Sequence, residues 1–193
     1  RDLLRSRGLG DVYKRQNLMV AAQNTELFEP VSIVADYAVP NGWDDKFFTP
    51  FDWGYFAFVQ NVGEATVSNF RELADSNLKI VIQDPRSSTP GLGLLMWVKA
   101  AYGADAKKIW NDLNDNIVTV TAGWSEAYGM FLEGEADMVL SYTTSPAYHI
   151  IAEQDNSKTF AIFDEGHYMQ VEVAGKLRST CLLYTSDAAD ECL

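Results

Sequence analysis

The chain is predicted to be an α/β protein with a largely parallel sheet flanked by helices, on three observations. Apolar runs rich in β-branched and aromatic residues alternate with helical patterns from residue 78 onward. Each of these runs passes into a helix through a polar junction that carries proline or glycine. The 193 residues are 47% hydrophobic, enough to bury a sizeable core.

The elements follow in order. Residues 17–28 place Leu18, Met19, Ala21, Ala22, Leu27 and Phe28 at helical spacing, and Pro30 interrupts the pattern. Pro40-Asn41-Gly42 and Thr49-Pro50 bracket an aromatic loop with Trp43, Phe47 and Phe48. Residues 54–59 (GYFAFV) read as a buried strand. Residues 68–73 read as a short helix capped by Ser68. Strand 78–82 (LKIVI) precedes helices over 91–102 and 104–113, the second with Ala106, Ile109, Trp110 and Leu113 on one face. Strand 117–120 leads to helix 125–132, ended by Gly134, and strand 137–142 leads to helix 146–151. Two short strands are expected at 160–163 and 168–173.

Both ends are set apart. Asp11-Val12-Tyr13-Lys14-Arg15-Gln16 back-translates to GATGTGTATAAGAGACAG. Its reverse complement, read in another frame, encodes Cys181-Leu182-Leu183-Tyr184-Thr185 and begins Ser186. Such an inverted pair resembles the transposon end left by sequencing-library preparation. Residues 1–16 and 181–193 are therefore expected to be non-native and are excluded from fold reasoning. Both cysteines, Cys181 and Cys192, fall in that tail, so no disulfide framework is expected. The chain is expected to be a fragment, so the lack of a signal peptide carries no information about location.

Fifteen Lys+Arg against 27 Asp+Glu give a net charge of −12, which argues against a nucleic-acid or anionic-membrane surface. No apolar run reaches the roughly 18 residues of a membrane-spanning helix. The two histidines, His149 and His167, lack cysteine partners and ligand spacing, so no metal site or cofactor is expected.

Three strand-to-helix junctions hold the chemistry. The first is Gln83-Asp84-Pro85-Arg86-Ser87-Ser88-Thr89-Pro90-Gly91, where Ser88 or Thr89 can cap the helix and Pro90 suits its first turn. A helix N-terminus beside hydroxyls can take an anion, although ordinary capping explains the same residues. The second, Thr121-Ala122-Gly123-Trp124-Ser125-Glu126, holds a tryptophan that either joins the core or faces a ligand. The third, Ser141-Tyr142-Thr143-Thr144-Ser145-Pro146-Ala147-Tyr148-His149, has Ser145 and Pro146 as cap and first helical residue, which leaves the paired tyrosines and threonines unexplained. In an open parallel sheet all three lie on the edge where ligands bind. Aromatic faces there suit a flat cationic ring, each contributing on the order of 0.5–2 kcal/mol. A catalytic site would need a base or nucleophile with a partner, and none stands out. Asp84 and Glu126 read as a turn residue and a first-turn helix residue.

The segments PFDWGYFAF from Pro50, QDPRSSTPGLG from Gln83, GWSEAYG from Gly123, LSYTTSPAYH from Leu140 and EGHYMQVEV from Glu165 resemble the periplasmic thiamine-binding proteins of bacterial ABC transporters, in order across residues 17–176. The resemblance implies periplasmic binding protein type II topology, truncated at both ends. Residues 17–50 would end lobe one, 51–167 would form lobe two with a crossover strand, and 168–180 would return towards lobe one. It implies a monomeric periplasmic subunit, not an enzyme, that captures thiamine or a thiamine phosphate and delivers it to a membrane permease. Ser88 and Thr89 would match hydroxyls near the phosphate end. Trp124 would match a contacting tryptophan, and Tyr142, Thr143, Thr144 and Ser145 the contacting strand end. Tyr148 would match a ring that stacks on the ligand. The family's first strands and last helices would lie outside residues 17–176, so the chain as written is expected to bind thiamine weakly or not at all.

Two other readings remain at this stage. Tyr142 and Tyr148 could imitate the paired tyrosines of ferric-ion carriers of the same fold, although iron calls for an added carboxylate or histidine and Trp124 fits an organic ring better. An enzyme of phosphate esters could use the helix start near Ser88, but no base, metal cluster or glycine-rich phosphate loop accompanies it.

Overall fold

The computed structural model describes the backbone of residues 11–15 and all of 18–31 and 35–178. Residues 1–10 and the tail 181–193, with both cysteines, lie outside the described residues. The chain divides into two units, one of Gly54–Met169 and one of Arg1–Trp53 with Gln170–Leu193. Each boundary falls inside a strand, so β2 (Phe48–Asn61) and β7 (Met169–Lys176) carry the chain from one unit to the other.

In the discontinuous unit, β1 (Asp11–Arg15), within the head expected to be non-native, runs antiparallel to β7, with Asp11 opposite Lys176. Helix α1 spans only Met19–Gln23, and its buried residue is Ala22. The Phe28 and Phe48 rings meet at 4.9 Å. The aromatic loop is shorter than the sequence implied. Asp45 Oδ1 accepts from the Phe47 and Phe48 N–H groups and delivers the chain into β2, which already includes Pro50. Trp43 and Trp53 donate their indole N–H groups to the Phe48 and Ala38 carbonyls, each at 2.9 Å.

The Gly54–Met169 unit is built on a mixed sheet. Strand β3 (Ile80–Gln83) pairs in parallel with both β4 (Ile117–Thr121) and β5 (Met138–Tyr142). The end of β2 lies antiparallel to β5 and to β6 (Lys158–Phe160). Thus the centre is parallel and the entering strand is not. The strand expected at 160–163 is Lys158–Phe160 instead, and Ala161 and Phe163 beyond it are taken into the core.

Helices cover both faces. On one, α2 (Phe70–Asp75), α3 (Thr89–Tyr102) and α4 (Ala106–Asp112) bury Phe70, Leu73, Leu94, Trp97 and Ile109 against Phe56, Phe58, Ile80 and Leu140. On the other, α5 (Trp124–Leu132) sets Ala127, Tyr128 and Phe131 against Val59, Val81 and Val139. The alternation of Val81 with Ile80 and Ile82 divides the strand between these two cores. Trp97 is fully core, and Trp110 is partly buried against the same cluster. The cap of α2 is Asn69, which accepts from the Glu72 N–H at 2.8 Å, instead of Ser68. Ser68 lies one residue before it and donates through its N–H and hydroxyl to the Glu72 carboxylate.

Candidate ligand-binding site

The loops after β3 and β4 leave to opposite faces of the sheet, since α3 packs on the first core and α5 on the second. Such a reversal opens a crevice beyond the carboxyl ends of the strands. All three junctions lie at that edge, and hydrogen bonds stitch them together. The Asp84 N–H donates to Thr121 O at 2.8 Å and the Ser87 hydroxyl to Ala122 O at 2.8 Å, which joins the first to the second. The Trp124 indole N–H donates to Ser141 Oγ at 2.8 Å, and Ser141 Oγ meets Ser145 Oγ at 2.7 Å, which joins the second to the third.

At the first junction, Ser88 occupies the cap position of α3 in extended conformation, but its side chain makes no capping hydrogen bond. It is only 8% exposed. Thr89 opens the helix and Pro90 lies in its first turn, so the leading N–H groups of Thr89 and Gly91 precede the helical ladder. Gly91 is required by close approach. A Cβ there would lie 2.8 Å from the Gln83 carbonyl carbon and 2.9 Å from that of Asp84, and closer still to the Gln83 oxygen. The helix start is therefore held directly on the end of β3. Beside it Asp84 forms an ion pair with Arg86 at 2.5 Å. The Arg86 side chain, and then its backbone N–H, hold the Asp84 carboxyl down at about 2. Asp84 is thus a paired turn anion, and Glu126 accepts from Ala122 N instead of meeting it.

At the second junction Trp124 is the first residue of α5 and is 38% exposed. One face of its ring stacks on Tyr128, one turn along, at 4.8 Å and 30°. The tryptophan therefore belongs neither wholly to the core nor wholly to solvent. It is a shelf, backed on one side and open on part of the other.

At the third junction the alternation of β5 sends Ser141 and Tyr142 to opposite faces. Ser141 is fully buried under Trp124. Tyr142 stacks on Phe56 at 5.2 Å, against the first core, and is partly buried. The Thr143 N–H donates to Tyr55 O at 2.9 Å, which fixes the turn. Ser145 is not the helix cap. It is the first residue of α6 (Ser145–Tyr148), the cap position being Thr144, and its hydroxyl accepts from Tyr142 N and meets Ser141 instead. Tyr148 is 63% exposed and sits edge-on to His149 at 5.8 Å.

Thus Trp124 and Ser145 are linked through one bridging residue. Ser88 and Thr89 head the adjoining loop, Thr143 and Thr144 form the turn, and Tyr142 lies on the other face of the same strand end. Three residues escaped the sequence reading. Ser141 and Tyr128 touch Trp124 directly, and His149 backs Tyr128. Only the Trp124–Tyr128 spacing of four, which places both on one helix face, could have signalled the pairing.

His149, Glu153 and Asp155 offer ligand atoms within 4.8 Å of one another. All three are already engaged. His149 Nδ1 meets Glu153 Oε2 at 2.6 Å, Nε2 meets Tyr128 Oη at 2.8 Å, and Asp155 accepts from the Ser157 N–H and hydroxyl with Lys158 3.9 Å away. His167 lies between Phe56 O and the Phe163 N–H as a structural pin.

Helix starts and aromatic rings lie at one edge of this two-core sheet, and the family of bacterial extracellular solute-binding proteins matches residues 27–169. The chain belongs to that family, with the type II topology of periplasmic binding proteins. It is 53% identical over 165 residues to the thiamine-binding periplasmic protein of Escherichia coli (strain K12), covering 83% of this chain and 50% of that protein. Its identity to the protein of the same name from Haemophilus influenzae is 41% over 161 residues, covering 81% and 48%. The solved structure of a periplasmic thiamin binding protein superposes with a TM-score of 0.84 at 48% identity, over 90% of this chain and 56% of that one. The sulfate-binding protein SubI from Mycobacterium tuberculosis, at a TM-score of 0.61 and 16% identity over 72% of this chain and 50% of that one, shares the fold alone. The chain spans about half the length of the relatives it matches.

Proposed function

We propose that this chain is the thiamine-holding half of the substrate-binding subunit of an ABC importer, which works as a monomer in the periplasm and passes its ligand to a membrane permease. Thiamine phosphates are further ligands of the same site. The observation that carries the reading is the hydrogen-bonded join from Trp124 through Ser141 to Ser145, which places an open indole face beside hydroxyls at the edge of the sheet. The aromatic rings of thiamine meet that indole and the exposed Tyr148 phenol, where stacking and cation–π attraction each contribute on the order of 0.5–2 kcal/mol. Ser88 and Thr89, at the start of α3, receive the hydroxyethyl or phosphate end, because helix N-terminal N–H groups and hydroxyls favour an anion. Tyr142, Thr143, Thr144 and Ser145 shape the wall between them. The identity to proteins named for thiamine binding supports the choice of ligand.

The test is isothermal titration of a chain of its relatives' length with thiamine, thiamine phosphates, ferric ion and a polyamine. Saturable binding of thiamine that Trp124→Ala weakens is the expected result. Binding of ferric ion or polyamine in preference to thiamine refutes the reading. Turnover of a phosphate ester, abolished by Ser88→Ala, would replace it with an enzymatic one.

A further inference from the structure

We infer that His149 is a positioning residue that holds the two exposed ligand-facing aromatics, Trp124 and Tyr148, in place before a ligand arrives. The inference rests on the ligand-binding reading above and assigns a new role inside that site.

His149 is buried, only 4% exposed. Both of its ring nitrogens are engaged, Nε2 with Tyr128 Oη at 2.8 Å and Nδ1 with Glu153 Oε2 at 2.6 Å. The Tyr128 ring lies nearly parallel to the imidazole, at 11°, and also stacks on the Trp124 indole at 4.8 Å, with Phe131 edge-on to it. Tyr148, the residue immediately before it, stands edge-on to the same imidazole at 5.8 Å and 78°. A single ring thus buttresses one aromatic through Tyr128 and the other by direct contact.

The backbone is shaped for this. The chain widens from α6 into a π-turn over His149–Glu153, which ends with Gln154 in the left-handed region at φ 56°. That turn brings the Glu153 carboxylate onto Nδ1 and returns the Asp155 N–H to His149 O at 3.0 Å. Widened turns of this kind recur at functional sites. The relay runs from Glu153 through the imidazole and the Tyr128 ring to the indole, which is fixed on three sides: by Tyr128 on one face, by Ser141 at its N–H, and by its own helix. A ring already fixed loses less freedom on binding, and the affinity of the site depends on that saving.

The experiment uses a chain of its relatives' length, labelled with 5-fluorotryptophan and titrated with thiamine. His149→Phe keeps a ring of similar size and loses both hydrogen bonds. It is expected to weaken thiamine binding about tenfold. It should also shift or broaden one fluorine resonance, the one that Trp124→Phe removes, and leave the others in place. His149→Gln, which restores a polar partner for Tyr128 but removes the ring beside Tyr148, should return the Trp124 resonance towards its wild-type position and recover part of the affinity. Should His149→Phe fail to fold, Tyr128→Phe interrupts the same relay by one oxygen atom and should reproduce both effects. Wild-type affinity together with an unmoved Trp124 resonance in a folded His149→Phe or Tyr128→Phe variant overturns the inference. If the wild-type chain does not bind thiamine, the functional reading fails. The fluorine resonance then decides the positioning role by itself: a change confined to Trp124 upholds it and no change overturns it.

Discussion

Replacing Gly91 by alanine and Gly129 by alanine is the same chemical change in two helices, and the structure predicts opposite outcomes. At Gly129 in α5 a Cβ would meet nothing within 4 Å. There the substitution brings only the helical preference of alanine over glycine, about 0.5–1 kcal/mol in favour of folding. At Gly91 the new carbon would press on backbone atoms of Gln83 and Asp84, two of them at 2.8 and 2.9 Å. No side chain can rotate away, so α3 itself must lift from the end of β3. Overpacking of this kind costs about 1–3 kcal/mol or more, which exceeds the propensity gain. Gly91→Ala should therefore be destabilised by about 2 kcal/mol, read as a lower urea midpoint with an unchanged slope. Gly129→Ala should move the midpoint upward. Because Ser88 and Thr89 ride on the displaced turn, the Gly91 variant should also weaken binding of a thiamine phosphate more than of thiamine. A Gly91→Ala chain as stable as the parent, or a destabilised Gly129→Ala, would refute the close-approach argument.

Further outcomes follow from the same geometry. Ser141→Ala leaves the indole N–H of Trp124 without its acceptor and should cost about 1–3 kcal/mol of stability, with a fluorescence change that Ser125→Ala does not produce. Phe58→Ala empties a site between Phe70, Trp97 and Phe163 and should cost about 3–5 kcal/mol, enough to leave the chain largely unfolded by circular dichroism. Burial, and then the nearby Glu153, push the Tyr128 hydroxyl up to about 12. Its raised value means that its share of stability is complete below the ordinary tyrosine range near pH 10 and is lost as pH climbs towards 12; burial also raises Tyr102 and Tyr168, so ultraviolet titration should show several late tyrosines, one fewer in Tyr128→Phe. Asp84 has the opposite sign. Its contribution is present above the ordinary carboxylate range and disappears as pH falls through about 2, so Asp84→Asn should flatten the acid limb of the stability curve.

The alternation of elements, the helices α3 and α5 and the three junctions were legible because periodicity and capping chemistry are local. The breadth of β2 was not. Thr49-Pro50 reads as a loop by composition, yet Pro50 lies in the strand. Ser145 was misplaced for a related reason: a serine before proline looks like a cap, but the buried Ser141 hydroxyl two strand positions before the turn competes for it. That competition comes from a partner four residues away across a turn, which no capping rule contains. Of the site, the exposed rings Trp124 and Tyr148 could be read from residue type alone. Their supports could not, since Tyr128, Ser141 and His149 look like ordinary core and strand residues until the fold brings the first two against the indole and the third against Tyr128.

Two hydrogen bonds at the entrance of the Gly54–Met169 unit have a consequence for folding. Phe56 N donates to Tyr168 O at 3.0 Å, and Phe56 O meets His167 Nδ1 at 2.8 Å, so this stretch enters and leaves at one spot, like an insertion with its ends tied. Its partner unit is split, with its second piece starting only at Gln170. Closing the inserted module first brings Trp53 and Gln170 near one another and settles the loop-closure entropy before the split unit assembles.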